Sequence, residues 1–176
     1  SARVTKGKGV KLPAAEREGY AFTGWYTERN VGNIIKEGDT VPYTQEGEGW
    51  PKEVTYYAHW VPRIDNVQVE GIAVPGALQK PGTTAQLATG LNINNGVSEV
   101  GSVTWKDSNG RILGEDDVFQ GSTAYTVIVE VRAKENFKFD GNLTTITING
   151  YPAKVVSDEH IWPSDYLKLS YTFPPT

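Results

Sequence analysis

Tyr125-Thr126-Val127-Ile128-Val129-Glu130-Val131-Arg132-Ala133 decides the fold class. Tyr125, Val127, Val129, Val131 and Ala133 fall on one side of a period-two alternation, with Thr126, Ile128, Glu130 and Arg132 on the other. One apolar and one mostly polar face mark a half-buried strand, because successive side chains of extended backbone point to opposite faces. The same reading extends outward. Ile64, Val67, Val69, Ile72 and Val74 predict a first strand, Leu87 and Leu91 a second extended stretch, and Val100, Val103 and Trp105 a third. Leu143, Ile146 and Ile148, then Val155, then Leu167, Leu169, Tyr171 and Phe173 follow. Turn chemistry separates them at Pro75-Gly76, Pro81-Gly82, Asn95-Gly96, Asn109-Gly110, Asp140-Gly141 and Asn149-Gly150. Short strands punctuated this often predict an antiparallel β-sandwich, and this half carries no sustained helical periodicity.

Composition shifts near residue 62. Residues 1–62 carry 8 basic and 8 acidic side chains, whereas 63–176 carry 9 and 13, for a chain total of −4. The first part is dense in aromatics and Gly, the second in Val, Ile and Thr. Pro62 cannot donate a ladder hydrogen bond and biases Val61 toward extended geometry. The reading is two domains, 1–62 and 63–176, joined by a short, semi-rigid linker. In the first, Gly19–Tyr26 and Val54–Trp60 read as strands, and Pro13–Glu18 as a helical turn or two. Phe22, Trp25, Tyr56 and Trp60 are its candidate core, since each such ring buries roughly 150–250 Å².

Several function classes are disfavoured. A net charge of −4 without a basic block gives nucleic acid no footing, since phosphates need clustered Lys and Arg. No apolar run approaches the roughly 20 residues that span a bilayer. With no Cys, disulfides, thiol nucleophiles and thiolate metal sites are all absent, and two His 101 residues apart leave little for an imidazole site. No Gly-x-Ser-x-Gly elbow, phosphate-binding loop or His-Glu-x-x-His helix occurs. The expectation is therefore no enzyme and no catalytic residues. The Ser-Ala-Arg start reads as a mature or expressed piece of a longer protein.

The first half carries three blocks in order: Leu12-Pro13, then Arg17-Glu18-Gly19-Tyr20-Ala21-Phe22-Thr23-Gly24-Trp25-Tyr26, then Tyr57-Ala58-His59-Trp60. This series resembles the internalin B-type B repeat, or Listeria–Bacteroides repeat, over about residues 9–61. The resemblance implies a small β-grasp (ubiquitin-like) domain on a bacterial surface protein. The family's first strand, ending in Asn-Gly-Gly, is missing or degenerate here, and residues 43–52 read as an insertion. The second half is similar to an immunoglobulin-like repeat of bacterial surface proteins, through Val103-Thr104-Trp105, Gly121–Val127, Ala133–Phe139, Ile148-Asn149-Gly150 and Leu169–Pro174. The two resemblances together imply a mainly β chain, a β-grasp domain followed by an antiparallel immunoglobulin-like β-sandwich. They imply an extracellular place at the surface or wall of a bacterium, Gram-positive by the second likeness.

Two clusters are candidate sites. Asp107, Asn109, Glu115, Asp116 and Asp117 gather oxygen ligands of the kind calcium takes, although Gly110 falls at the wrong position for an EF-hand loop. The competing reading is a turn at Asn109-Gly110 with solvated acids beyond it. Trp50, Trp162 and Tyr166 lie in apparent loops and offer flat apolar faces of the kind that stack on sugar rings. Against this, large aromatics are highly buried on average, so each could simply staple a loop. His59 is expected on an exposed strand face by alternation, and His160, in Asp158-Glu159-His160, is a weak contributor to a metal site. The expected function is a spacer, stalk or adhesion module, the expected companions being a host or cell-wall glycan or protein and the expected state a monomer; the other reading is an accessory glycan- or protein-binding module of a secreted enzyme.

Overall fold

The structure, a computed structural model, describes residues 12–36, 39, 55–156 and 160–176. The chain divides into two compact units, Ser1–Val61 and Pro62–Thr176. Among the described residues the secondary structure is all strand, without a helix. The helical turn expected over Pro13–Glu18 does not form; this stretch has no regular secondary structure and ends in a turn where Tyr20 N–H donates to Arg17 O at 3.1 Å.

In the first unit, β1 (Tyr20–Tyr26) and β2 (Tyr57–Pro62) make a two-stranded sheet. Phe22 packs against Trp25 and Trp60 with ring centres 5.7 and 5.4 Å apart, and Trp25 Nε1–H donates to Pro13 O at 2.8 Å. These rings are half-buried, so the small unit shields its aromatic cluster only in part. Gly24, at φ 138°, lets Ile34 approach to 3.0 Å of where a β-carbon would stand. His59 corrects a sequence expectation. It is half-buried, stacked on Tyr26 at 3.9 Å and 8°, and its Nε2–H reaches Glu28 O at 2.9 Å. Alternation cannot register a neighbouring loop that folds over the outward face.

The second unit contains two four-stranded sheets. One has the order β5 (Val97–Lys106), β6 (Tyr125–Ala133), β10 (Tyr166–Phe173), β9 (Lys154–Val155). The other has the order β4 (Gln86–Leu87), β3 (Asn66–Glu70), β7 (Thr145–Ile148), β8 (Tyr151–Pro152). The alternation in β6 does what it predicts: Tyr125, Val127, Val129 and Val131 are buried, and β10 sets Leu169 opposite Val129 and Leu167 opposite Val131. Val67 and Val69 of β3 and Ile148 of β7 enter the same core, with Trp105 of β5, Phe119, Phe139 and Phe173. Trp105 is held as well as packed, since its Nε1–H donates to Gly82 O at 2.7 Å.

The sequence pattern misses three features. β3 and β7 run parallel, Val67 opposite Ile146 and Val69 opposite Ile148, so this sheet is mixed. Leu91 belongs to no strand and is 95% exposed, and Val74 is 63% exposed because the chain turns at Gly71, φ 80°. Side-chain amides clip the backbone at the middle of β3, Gln68, and just past its end, at Ile72. Asn94, at φ 53°, accepts from Gln68 N–H at 2.7 Å and donates from Nδ2 to Gln68 O and Ala88 O, each at 2.9 Å. Asn149, at φ 51°, accepts from Ile72 N–H at 3.1 Å and donates to Ile72 O at 2.7 Å. With Gly150 at φ 78°, Asn149 also forms the two-residue hairpin joining Ile148 to Tyr151.

Candidate functional site

The acidic cluster forms around an arginine. The loop after β5 closes on itself where Asp107 Oδ1 accepts from Asn109 N–H at 2.9 Å and Arg111 N–H at 3.0 Å. Arg111 then reaches Asp117 through a two-pronged contact, Nη1 to Oδ2 at 2.9 Å and Nη2 to Oδ1 at 3.2 Å, with Nε 3.4 Å from Asp107 Oδ2. Gly114 N–H also donates to Asp117 Oδ2 at 2.7 Å. These contacts govern the ionisation. The Arg111 guanidinium, then the Gly114 N–H, hold Asp117 below the usual carboxylate value. For Asp107, desolvation pushes upward, but the N–H groups of Arg111 and Asn109 and the Arg111 side chain together outweigh it, and the net direction is down.

Of the five residues suggested for calcium, Asp107, Asn109 and Asp117 converge, and the positive charge at their centre is Arg111. Glu115 and Asp116 are exposed, and Asp116 faces Lys80 at 3.4 Å. Calcium takes six to eight oxygens; here the inward oxygens already accept N–H donors. Among the described residues no three His, Cys, Asp or Glu stand where they could hold a metal ion together. Arg111 went unremarked in the sequence, although its spacing from Asp107 and Asp117 in one tight loop was the available signal.

The aromatic candidates separate. Trp50 lies outside the described residues, as do Asp158, Glu159 and the proposed insertion at 43–52. Trp162 and Tyr166 come together around His160. The His160 ring lies 5.0 Å from Trp162, nearly parallel at 28°, and 5.1 Å from Tyr166. Tyr166 is the first residue of β10 instead of part of a loop. Trp162 and Tyr166 remain 37% and 36% exposed.

The support beneath this group is well defined. Phe139 and Ser164 exchange backbone hydrogen bonds at 2.9 and 2.8 Å, which fixes the segment before β10 to the segment after Lys138. Buried Ser164 donates from Oγ to Tyr166 O at 2.7 Å. Lys168 N–H on β10 donates to His160 Nε2 at 3.1 Å, so this nitrogen is an unprotonated acceptor. Gly141 underlies Trp162, whose indole atoms come within 3.3 Å of a β-carbon position there. Lys138 pairs with Asp165, whose side chain is 76% exposed. His160 and Gly141 were not legible as parts of this group, because the contacts that place them join segments far apart in sequence.

Neither any curated protein nor any solved structure matches the chain. The match to a family model starts eight residues ahead of the span 9–61 read from the sequence, because Ser1–Lys8 hold none of the motif's aromatics. Over residues 1–59 the chain is similar to the Listeria-Bacteroides repeat domain, whose family model matches that segment.

Proposed function

We propose that this chain is a non-catalytic piece of a bacterial cell-surface or secreted protein, serving as spacer, stalk or adhesion module. The observation that carries this reading is the match of residues 1–59 to a repeat typical of bacterial surface proteins. In this reading the first unit is an internalin B-type β-grasp domain and the second an immunoglobulin-like sandwich. Support for the latter comes from Trp105, buried between sheets, and from Tyr125, whose hydroxyl at the start of β6 accepts from Gln120 N–H at 2.7 Å, the form of a tyrosine corner. Its strand order is a variant, because β7–β9 fall between the paired strands β6 and β10. Of the acids read from the sequence as metal ligands, Asp107 and Asp117 are engaged by Arg111 and Asp116 by Lys80.

The test is protease shaving of intact cells of the source bacterium, a Gram-positive one in this reading, followed by mass spectrometry. Peptides from this chain are expected in the shaved fraction; their confinement to cytosol would overturn the placement. A second reading, an accessory glycan- or protein-binding module of a secreted enzyme, is favoured by the exposed pair Trp162 and Tyr166.

A further inference from the structure

We propose that Trp162 and Tyr166, set on His160, form a stacking platform for the pyranose rings of a neutral polysaccharide. This deepens the binding-module reading above and leaves the spacer reading intact if it fails.

A pyranose has an apolar C–H face and a rim of hydroxyls, so a matching site needs flat aromatic carbon beside hydrogen-bonding groups. Both components occur here. Trp162 and Tyr166 each leave over a third of their surface in solvent although His160 contacts both rings. Asp165, the residue before Tyr166 in the chain, pairs with Lys138; the pair supplies donors and an acceptor, and Asp165 is open enough to be reached. The pair's opposite charges leave the rim nearly neutral, which suits an uncharged sugar better than an acidic one.

Preorganisation is the stronger part of the argument. A free surface tryptophan loses rotamer freedom on stacking, and that loss subtracts from affinity. Trp162 already stacks on the His160 ring, and its indole lies 3.3 Å from where a β-carbon at Gly141 would stand, so a side chain there would crowd it. His160 is in turn fixed by the Lys168 N–H, and Tyr166 by Ser164 and its pairing with Arg132 across β6. Exposed rings without a supporting role in the core, locked in place from beneath, are what stacking on a ligand requires. A loop staple would instead bury its rings.

The experiment is native affinity electrophoresis of the full 176-residue chain in gels containing xylan, mannan, mixed-linkage β-glucan or soluble starch, with pull-down on cellulose and chitin. Retardation on at least one of these polymers is expected. Trp162→Ala should weaken it at least tenfold and Trp162→Phe should recover part of it. Tyr166→Ala should weaken it as well, which guards against a fold defect in the first variant. Ile161→Ala, removing an apolar side chain that is 91% exposed next door, should change nothing. Absence of binding to every polymer overturns the proposal. So does binding that survives both aromatic truncations, or equal loss in Ile161→Ala, which would mark a general apolar patch. A preference for an acidic peptide or protein over all the polymers would likewise overturn it.

Discussion

The side-chain amide of Asn94 acts as a strand partner for Gln68, taking its N–H at 2.7 Å and giving to its carbonyl at 2.9 Å. One buried side chain thus satisfies both backbone groups of a β3 residue and, through Ala88 O, the end of β4. The left-handed backbone at Asn94 makes this reach possible, and Asn tolerates that conformation better than other side chains with the same hydrogen-bonding atoms. Asn94→Ala takes this partner from Gln68 N–H and Ala88 O in a poorly hydrated place, while Gln68 O keeps the Ala88 N–H at 2.9 Å, and is expected to cost about 2–4 kcal/mol in urea denaturation. Asn94→Asp keeps one acceptor but turns an oxygen toward two carbonyls, so it should be no better. Amide exchange at Gln68 should accelerate in both variants; unchanged exchange would show that the clip is dispensable.

Gly96 is a second position with little latitude. It sits at φ 91°, and a β-carbon there would fall 2.3 Å from Phe137 Cδ1 and 2.9 Å from Ile64 Cγ1. Gly96→Ala therefore combines backbone strain with a collision against the core, and is expected to cost about 3 kcal/mol or more. Calorimetry should show the second unit's transition lowered by about 10 °C or more. Gly110→Ala is the control, because it shares positive φ but meets nothing within 4 Å. Equal losses at both positions would assign the whole effect to backbone strain.

Tyr125→Phe isolates the corner hydrogen bond. The ring stays packed against Phe119 at 4.7 Å, while Gln120 N–H loses its acceptor. A loss of about 1–3 kcal/mol is expected, with the native near-ultraviolet circular dichroism retained. A neutral result would remove one support for the immunoglobulin-like reading.

Acid should loosen the Arg111 loop. The Arg111 guanidinium and the Gly114 N–H hold the Asp117 carboxyl below the usual carboxylate value in the folded chain, so its contribution is fully present above the unfolded value and is lost as pH falls through the folded one. The stability gap between the native chain and Asp117→Asn should stay constant above about pH 5 and close below about pH 4. Arg111 and Asp117 are largely solvated, so salt should shrink the same gap. A gap indifferent to acid would show that neither the Arg111 nor the Gly114 contact favours the Asp117 carboxylate.

Calcium should leave the melting temperature of the native chain unchanged at millimolar concentration, because the Asp107 and Asp117 oxygens already meet N–H donors. A rise that Asp107→Asn abolishes would reinstate the metal site.

The parts of the fold legible in sequence are those whose information is local. Period-two alternation places β6 and β10 with their buried faces, and Asn149-Gly150 marks a hairpin because its two left-handed residues permit little else. β4, β8 and β9 are two residues each, too short to carry a period. The parallel pairing of β3 with β7 joins Asn66 to Thr145, and alternation encodes which face is buried but not which strand lies alongside or in which direction. The binding candidates follow the same rule. Loop aromatics could be picked out one by one, whereas the His160 contact that joins Trp162 to Tyr166 depends on the Lys168 N–H. In the acidic loop, residue types suggested a cation, and the chain supplies its own in Arg111.

β5 is the ten-residue border of its sheet, and its pairing with β6 slips between Val97 and Glu99 and again between Val100 and Val103. Two interruptions in so short a rim break the straight ladder that a neighbouring molecule would need in order to zip on. Along this edge the chain thus offers a poor template for sheet-to-sheet growth between crowded copies.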